Sequence, residues 1–185
     1  MKNKTIIITI IVFILLLALS TFGYKRLKEK DFNKTGVSQT EIVENEDENI
    51  PVNFKITDSN GKVKELDSFK GKPTVVNFWA TWCGYCVREM PDFQKVYDKY
   101  GNDVNFIMLN TADGERETEE NARAFMKENG YTMPLYFEFN HEASSRLQVY
   151  SFPTTVIFNK DGKVVMNHPG LMTESALESA IENVM

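Results

Sequence analysis

Both cysteines of the chain sit in Trp82-Cys83-Gly84-Tyr85-Cys86. Two residues separate the thiols, so a disulfide can close across the first turn of a helix. Such a bond closes a very short loop and adds little to stability. It suits opening and closing, which is redox chemistry. No third cysteine is present to build a structural disulfide framework. A thiol pair can also hold a metal, but zinc asks for about four ligands, often two CxxC pairs or CxxC with paired histidines. The only histidines, His141 and His168, are far apart and not at ligand spacing. No metal site is expected, and no cofactor beyond the Cys83–Cys86 disulfide itself.

At a helix N-terminus the partial positive charge favours thiolate over thiol, and thiolate is the nucleophile of disulfide exchange. Cys83 is therefore expected to be the exposed attacker. Cys86, one turn further in, is expected to be more buried and to resolve the mixed disulfide. Glu89 follows Cys86 by three residues, on its side of the helix and away from Cys83. A glutamate in a helix's second turn is most often solvated; a partly buried carboxyl there would have a raised pKa and could take the Cys86 proton.

The elements that must position these residues follow from periodicity. Val52 to Thr57 alternates apolar and polar, Asp58-Ser59-Asn60-Gly61 is a turn, and Lys62 to Leu66 is a second short strand, which together make a hairpin. Thr74 to Ala80 is a continuous apolar, β-branched and aromatic run, as in a strand buried on both faces. The motif follows, then a helix to about Tyr100. Its Cys86, Met90, Phe93, Tyr97 and Tyr100 recur at helical spacing, and Pro91 predicts a kink. Val104 to Asn110 reads as a second buried strand. Glu115 to Asn129 reads as a helix closed by Gly130. Leu135 to Phe139 reads as a short extra strand, His141 to Val149 as a short helix, and Thr154 to Phe158 with Lys163 to Asn167 as a second hairpin. Thr173 caps a last helix, Glu174 to Val184. This order describes a mixed α/β sheet covered on both faces.

The N-terminus bears on location. Thr5 to Tyr24 is uncharged, and about 20 residues of helix span a bilayer core. Residues 1–24 are expected to be an uncleaved anchor. Ala18-Leu19-Ser20 is the alternative cleavage site of a signal peptide, and the absence of a lipobox cysteine excludes a lipoprotein. Lys25, Arg26, Lys28 and Lys30 follow the run, against Lys2 and Lys4 before it, which by the positive-inside rule favours the opposite orientation. Against that, single N-terminal apolar segments are commonly export signals, and a reactive CxxC on a tether makes sense outside the cytoplasm. The expectation is a single-pass protein of the cell membrane with its catalytic domain extracytoplasmic. Residues 25–50 are a polar linker with an acidic run, Glu41, Glu44, Glu46, Asp47 and Glu48, and little to bury. Residues 51–185 suffice for one compact domain. The formal net charge of −5 argues against nucleic acid as a partner.

The strand-borne run Phe78-Trp79-Ala80-Thr81-Trp82-Cys83-Gly84-Tyr85-Cys86 resembles the active-site turn of the thioredoxin fold. Phe152-Pro153-Thr154, opening a later strand, resembles that fold's cis-proline loop. The anchor, the first hairpin and the insert around residues 112–140 are similar to the ResA/TlpA branch of extracytoplasmic thiol–disulfide oxidoreductases. Glu89 before Met90-Pro91 matches a glutamate typical of that branch, and Gly170-Leu171-Met172-Thr173-Glu174 is also similar to it. The resemblance covers residues 50–185. It implies a thioredoxin fold with an N-terminal β-hairpin and a central insert, preceded by one transmembrane helix. It implies catalytic roles for Cys83, Cys86 and Glu89, with Pro153 in cis and Phe152 pairing with an extended substrate segment. Trp82 and Tyr85 are expected to form the apolar docking rim, and Trp79 to be core. Asn77 departs from cytoplasmic-type thioredoxins, which carry an aspartate at the matching position; asparagine cannot take a proton, so that base is missing and the weight falls on Glu89.

The implied activity is reduction of disulfides in partner proteins by a monomer, with electrons from a membrane thiol carrier. Candidate partners from the branch are apocytochrome c, an extracellular methionine sulfoxide reductase and a spore-envelope protein. Two alternatives use the same thiols. One is a disulfide oxidase or isomerase, since Cys-Gly-Tyr-Cys also resembles the motif of a periplasmic isomerase. The other is a metal-delivery module.

Overall fold

The computed structural model describes residues 52–185. The expected anchor at 1–24 and linker at 25–50 lie outside the described residues. Among the described residues no helix is long and apolar enough to cross a membrane.

The buried run after Pro73 forms β3 (Thr74–Trp79), every residue of which is buried. A strand hidden on both faces needs neighbours on both edges and layers on both sides. On one edge lies β4 (Asn105–Thr111), parallel, with Val75 opposite Phe106 and Asn77 opposite Met108. On the other edge lies β6 (Thr154–Phe158), antiparallel, with Phe78 opposite Thr154. Beyond β4 comes β5 (Leu135–Glu138), parallel to it. The first hairpin, β1 (Lys55–Asp58) and β2 (Val63–Glu65), attaches through β1 antiparallel to β5. β7 (Val164–Pro169) closes the opposite edge beside β6. The seven strands run β2-β1-β5-β4-β3-β6-β7.

Alternation along each strand sends neighbouring side chains to opposite faces. Val75, Trp79, Phe106, Met108 and Phe137 join one buried cluster. Val76, Phe78, Ile107, Leu109 and Tyr136 join the other. The first cluster is completed by three helices: α1 (Gly84–Tyr100) with Met90, Phe93 and Val96, α2 (Glu119–Glu128) with Ala122 and Met126, and α4 (Glu174–Glu182) with Leu177 and Ile181. The second is covered by α3 (Glu142–Arg146), which adds Ala143, and by Phe54, Ile56 and Leu66 from the first hairpin region. The mixed sheet layered on both faces is the expected fold class, with the expected hairpin at its edge and Trp79 in the core.

Two helix boundaries differ clearly from the sequence expectation. The helix expected from Glu115 begins at Glu119. Asp113 is the reason: its Oδ1 accepts the amides of Glu115, Arg116 and Glu117 at 2.9, 2.8 and 2.9 Å, winding these residues into a loop. Thr118 then caps α2 by accepting the Asn121 amide at 3.1 Å. The helix expected through Val149 stops at Arg146, because Gln148 takes a positive φ of 54°. The helix carrying the motif continues through Pro91 as one element. The proline there removes only one backbone donor, the one that would face the carbonyl of Val87.

Candidate active site

β3 ends at Trp79 and α1 starts at Gly84, so the motif occupies the strand-to-helix turn. The Cys83 amide donates to the Ala80 carbonyl at 3.1 Å, closing that turn. Cys83 is the N-cap of α1, in extended conformation, and its sulfur accepts the Cys86 amide at 3.2 Å. An amide and a helix N-terminus aimed at one sulfur stabilise negative charge on it. Cys83 and Cys86 are joined as a disulfide with Cα atoms 5.2 Å apart.

The expected exposure contrast is small in this state. Cys83 retains only 6% of its accessible surface and Cys86 1%. The reason is the bond itself. Cys83 Sγ is turned toward α1 by the link to Cys86 and by the amide it accepts. Exposure belongs instead to the flanking aromatics, Trp82 at 40% and Tyr85 at 61%. Each carries a guanidinium on its face: Arg116 lies 3.9 Å from the Trp82 ring centroid and Arg88 5.2 Å from that of Tyr85. Stacked cations of this kind hold an exposed aromatic in one orientation.

Phe152-Pro153 is a cis peptide bond. Pro153 is buried, and its carbonyl accepts the Gly170 amide at 2.8 Å. The Phe152 ring lies 5.9 Å from that of Trp82. The loop before β6 and the motif before α1 therefore meet at Trp82. The β6 ladder with β3 ends at Thr154, so the backbone of Phe152 lies beyond the sheet's own pairing.

Glu89 lies on the buried stripe of α1, 1% exposed. Its Oε1 accepts Asn77 Nδ2 at 2.8 Å, and its Oε2 accepts the Met172 amide at 2.9 Å. Burial pushes its pKa up from 4.5 to about 7, opposed by those two hydrogen bonds. Desolvation wins because both donors are neutral and offer no full countercharge. Asn77 Nδ2 also donates to Thr155 Oγ1 at 3.2 Å, while Asn77 Oδ1 has no donor among the described residues. A turn of that amide presents Oδ1 to a protonated Glu89. Asparagine can thus partner the carboxyl in both of its protonation states.

Residues 45–185 match the family described as Redoxin. The chain belongs to the redoxin family. Thiol-disulfide oxidoreductase ResA of Bacillus thuringiensis subsp. konkukian is 35% identical over 132 residues, which cover 71% of this chain and 75% of that protein. Among solved structures, StoA from Bacillus subtilis is 26% identical with a TM-score of 0.61, covering 70% of this chain and 96% of that one. The pneumococcal exposed lipoprotein thioredoxin Etrx1 of Streptococcus pneumoniae TIGR4 is 25% identical with a TM-score of 0.64, covering 71% of this chain and 99% of that one. With the Cys83–Cys86 disulfide, these relatives make this redoxin a ResA-like thiol–disulfide oxidoreductase acting on protein disulfides.

All seven residues singled out from the sequence gather at the carboxyl end of β3 and the neighbouring loop of this redoxin. Cys83 caps α1, Cys86 and Glu89 lie on it, Trp82 and Tyr85 flank the first thiol, and the Phe152 ring, next to Pro153 in the chain, packs against Trp82. His141 and His168 do not join them, and the described residues contain no group of three His, Cys, Asp or Glu able to hold a metal ion. Sequence reasoning missed the contacts that hold the site: the Met172 amide on Glu89, Arg116 on Trp82, and Glu117, whose carboxyl is fully buried against Thr81. The Asp113-Gly114 pair, a turn signal just before the stretch read as a helix, was the one clue to the last two.

Proposed function

We propose that this chain is a membrane-tethered reductant of protein disulfides outside the cytoplasm, with residues 1–24 as anchor, 25–50 as linker and 51–185 as the catalytic domain. Reduced Cys83 attacks a disulfide sulfur of the partner, and the partner's other sulfur leaves as thiolate. Glu89 takes the proton of Cys86. The Cys86 thiolate attacks Cys83 Sγ, the second partner sulfur leaves, and the Cys83–Cys86 disulfide remains. Two electrons pass from the dithiol to the partner, and no bound cofactor is required. Trp82 and Tyr85 dock the partner, and the free backbone at Phe152, set by Pro153, pairs with an extended segment around its disulfide.

The observation that carries this reading is Glu89. A carboxyl with a pKa of about 7 is matched to proton transfer at neutral pH, where an ordinary carboxylate is too weak a base. A dithiol donor needs that transfer inside the mixed disulfide, before Cys86 can act. Electrons would come from a membrane thiol carrier. The partner would be of the kind suggested by the ResA/TlpA branch: apocytochrome c, an extracellular methionine sulfoxide reductase or a spore-envelope protein.

Equilibration of the protein against glutathione or dithiothreitol buffers tests the direction. A reductant is expected near the thioredoxin value of about −270 mV, whereas a value near −120 mV makes the chain a disulfide donor. Location has its own test. After mild reduction of intact cells, a membrane-impermeant maleimide should label Cys83; labelling only after lysis would put the domain on the cytoplasmic side.

A further inference from the structure

A second asparagine–glutamate pair lies on the other side of the motif. Glu117, in the loop before α2, has no exposed surface. Its Oε2 accepts both the amide and the hydroxyl of Thr81, at 2.9 and 2.7 Å. Its Oε1 accepts Asn110 Nδ2 at 2.9 Å. Asn110 Oδ1, like Asn77 Oδ1, has no donor among the described residues. The two pairs thus share one design: strand asparagine, buried carboxyl, and an amide oxygen in reserve.

Capping does not account for Glu117, because α2 already has its cap in Thr118. What Glu117 holds is Thr81, two residues before Cys83. Its neighbour Arg116 stacks on Trp82 at 3.9 Å, and the Phe152 ring packs against the same tryptophan at 5.9 Å. The loop is itself fixed by the three amides on Asp113 Oδ1 and by the Gly114 amide on the Glu117 carbonyl at 3.0 Å. Gly114 adopts φ +79°, a conformation glycine accepts without strain.

We propose that Glu117 is a positioning residue of the thiol–disulfide reaction: through Thr81 it holds the Trp82–Cys83 segment at the angle from which a docked protein disulfide meets Cys83 Sγ. This rests on Cys83 as the attacking sulfur and Trp82 as docking surface. Glu89 behind Cys86 serves the proton; Glu117 ahead of Cys83 serves placement. A small disulfide, which needs no docking, should not depend on it.

The test compares Glu117→Ala and Glu117→Gln with the parent chain. Reduction of insulin reports docking, and reaction with the small disulfide 5,5′-dithiobis(2-nitrobenzoate) reports thiol reactivity. For Glu117→Ala the expected loss is about tenfold in kcat/KM on insulin, carried by KM, with the small disulfide within about twofold of the parent. Glu117→Gln should recover, because its Oε1 keeps Thr81 and a turned Asn110 presents Oδ1 to its Nε2. Thr81→Val removes only the hydroxyl contact and should give the same signature, smaller, even if the alanine variant fails to fold. Three results overturn the proposal: both substrates slowed alike, neither slowed, or glutamine as damaging as alanine, which would assign the effect to charge. A parent chain that cannot reduce insulin would overturn the reductant reading instead. The Glu117 comparison would then be made with reduced, unfolded ribonuclease as the thiol substrate, read the same way.

Discussion

A chain carrying Cys83→Ser should lose protein-disulfide exchange by at least ~1000-fold, since the one thiol left, Cys86, is buried away from a partner disulfide. A chain carrying Cys86→Ser should behave differently. Cys83 still attacks, but nothing resolves the product, so a covalent complex with the partner accumulates. On a non-reducing gel the expected result is a shifted band that collapses with dithiothreitol for Cys86→Ser and is absent for Cys83→Ser. The asymmetry follows from the turn. Cys83 is the N-cap sulfur that accepts an amide at the start of α1, while Cys86 is 1% exposed and points into the core. Trapping by both variants to the same extent would sink the assignment of roles. The experiment also separates enzyme from metal carrier, because a site built on two thiolates loses its metal with either substitution. The partner caught by Cys86→Ser is identified by the same gel, which decides among the candidate substrates.

What was legible in the sequence is what is local. The CxxC turn, the buried strand before it and the helix after it lie within Thr74–Tyr100, and each is written in a short period or an end signal. Glu89 was legible as a position, three residues past Cys86, but not as an environment. Its two partners are 12 and 83 residues away, and only the folded sheet brings Asn77 and Met172 to it. β5 shows the same limit. Its apolar run was visible, yet its place between β1 and β4 is set by pairings with distant strands. Glu117 was concealed by its own neighbourhood. Glutamates at 115, 117, 119 and 120 read as the polar face of a helix. The Asp113 side chain, by taking three amides, keeps residues 115–117 out of that helix and turns one of them inward. Cys83 was misjudged in degree, because the disulfide it forms and the amide it accepts draw its sulfur toward the helix.

Glu89→Gln should make the protein more stable and its reaction slower. In the disulfide form the folded chain holds a proton on Glu89 up to about pH 7, whereas the ordinary value is 4.5. Between those values the folded state binds more protons than the unfolded state, so stability falls as pH rises through the window and levels off above it. The full cost is roughly 3 kcal/mol. Glutamine has no proton to lose, so its stability should be flat across the same range. Its own contacts can be kept: Gln Oε1 takes the Met172 amide, and a turned Asn77 offers Oδ1 to Nε2 while Thr155 supplies its hydroxyl proton. Urea unfolding of the oxidised chain at pH 5, 6, 7 and 8 should therefore show the two proteins converging at the acid end and separating toward pH 8. The kinetic effect has the opposite sign. Without a base beside Cys86, release of the partner from the mixed disulfide should slow by roughly 100-fold near pH 7. The parent's release rate should rise with pH and flatten above about 7, following the carboxyl's own titration. Parallel stability curves would mean that burial does not perturb Glu89 as the geometry requires. Equal release rates would mean that Cys86 loses its proton by another route. A gain in stability joined to a loss in rate is what a buried acid kept for chemistry predicts.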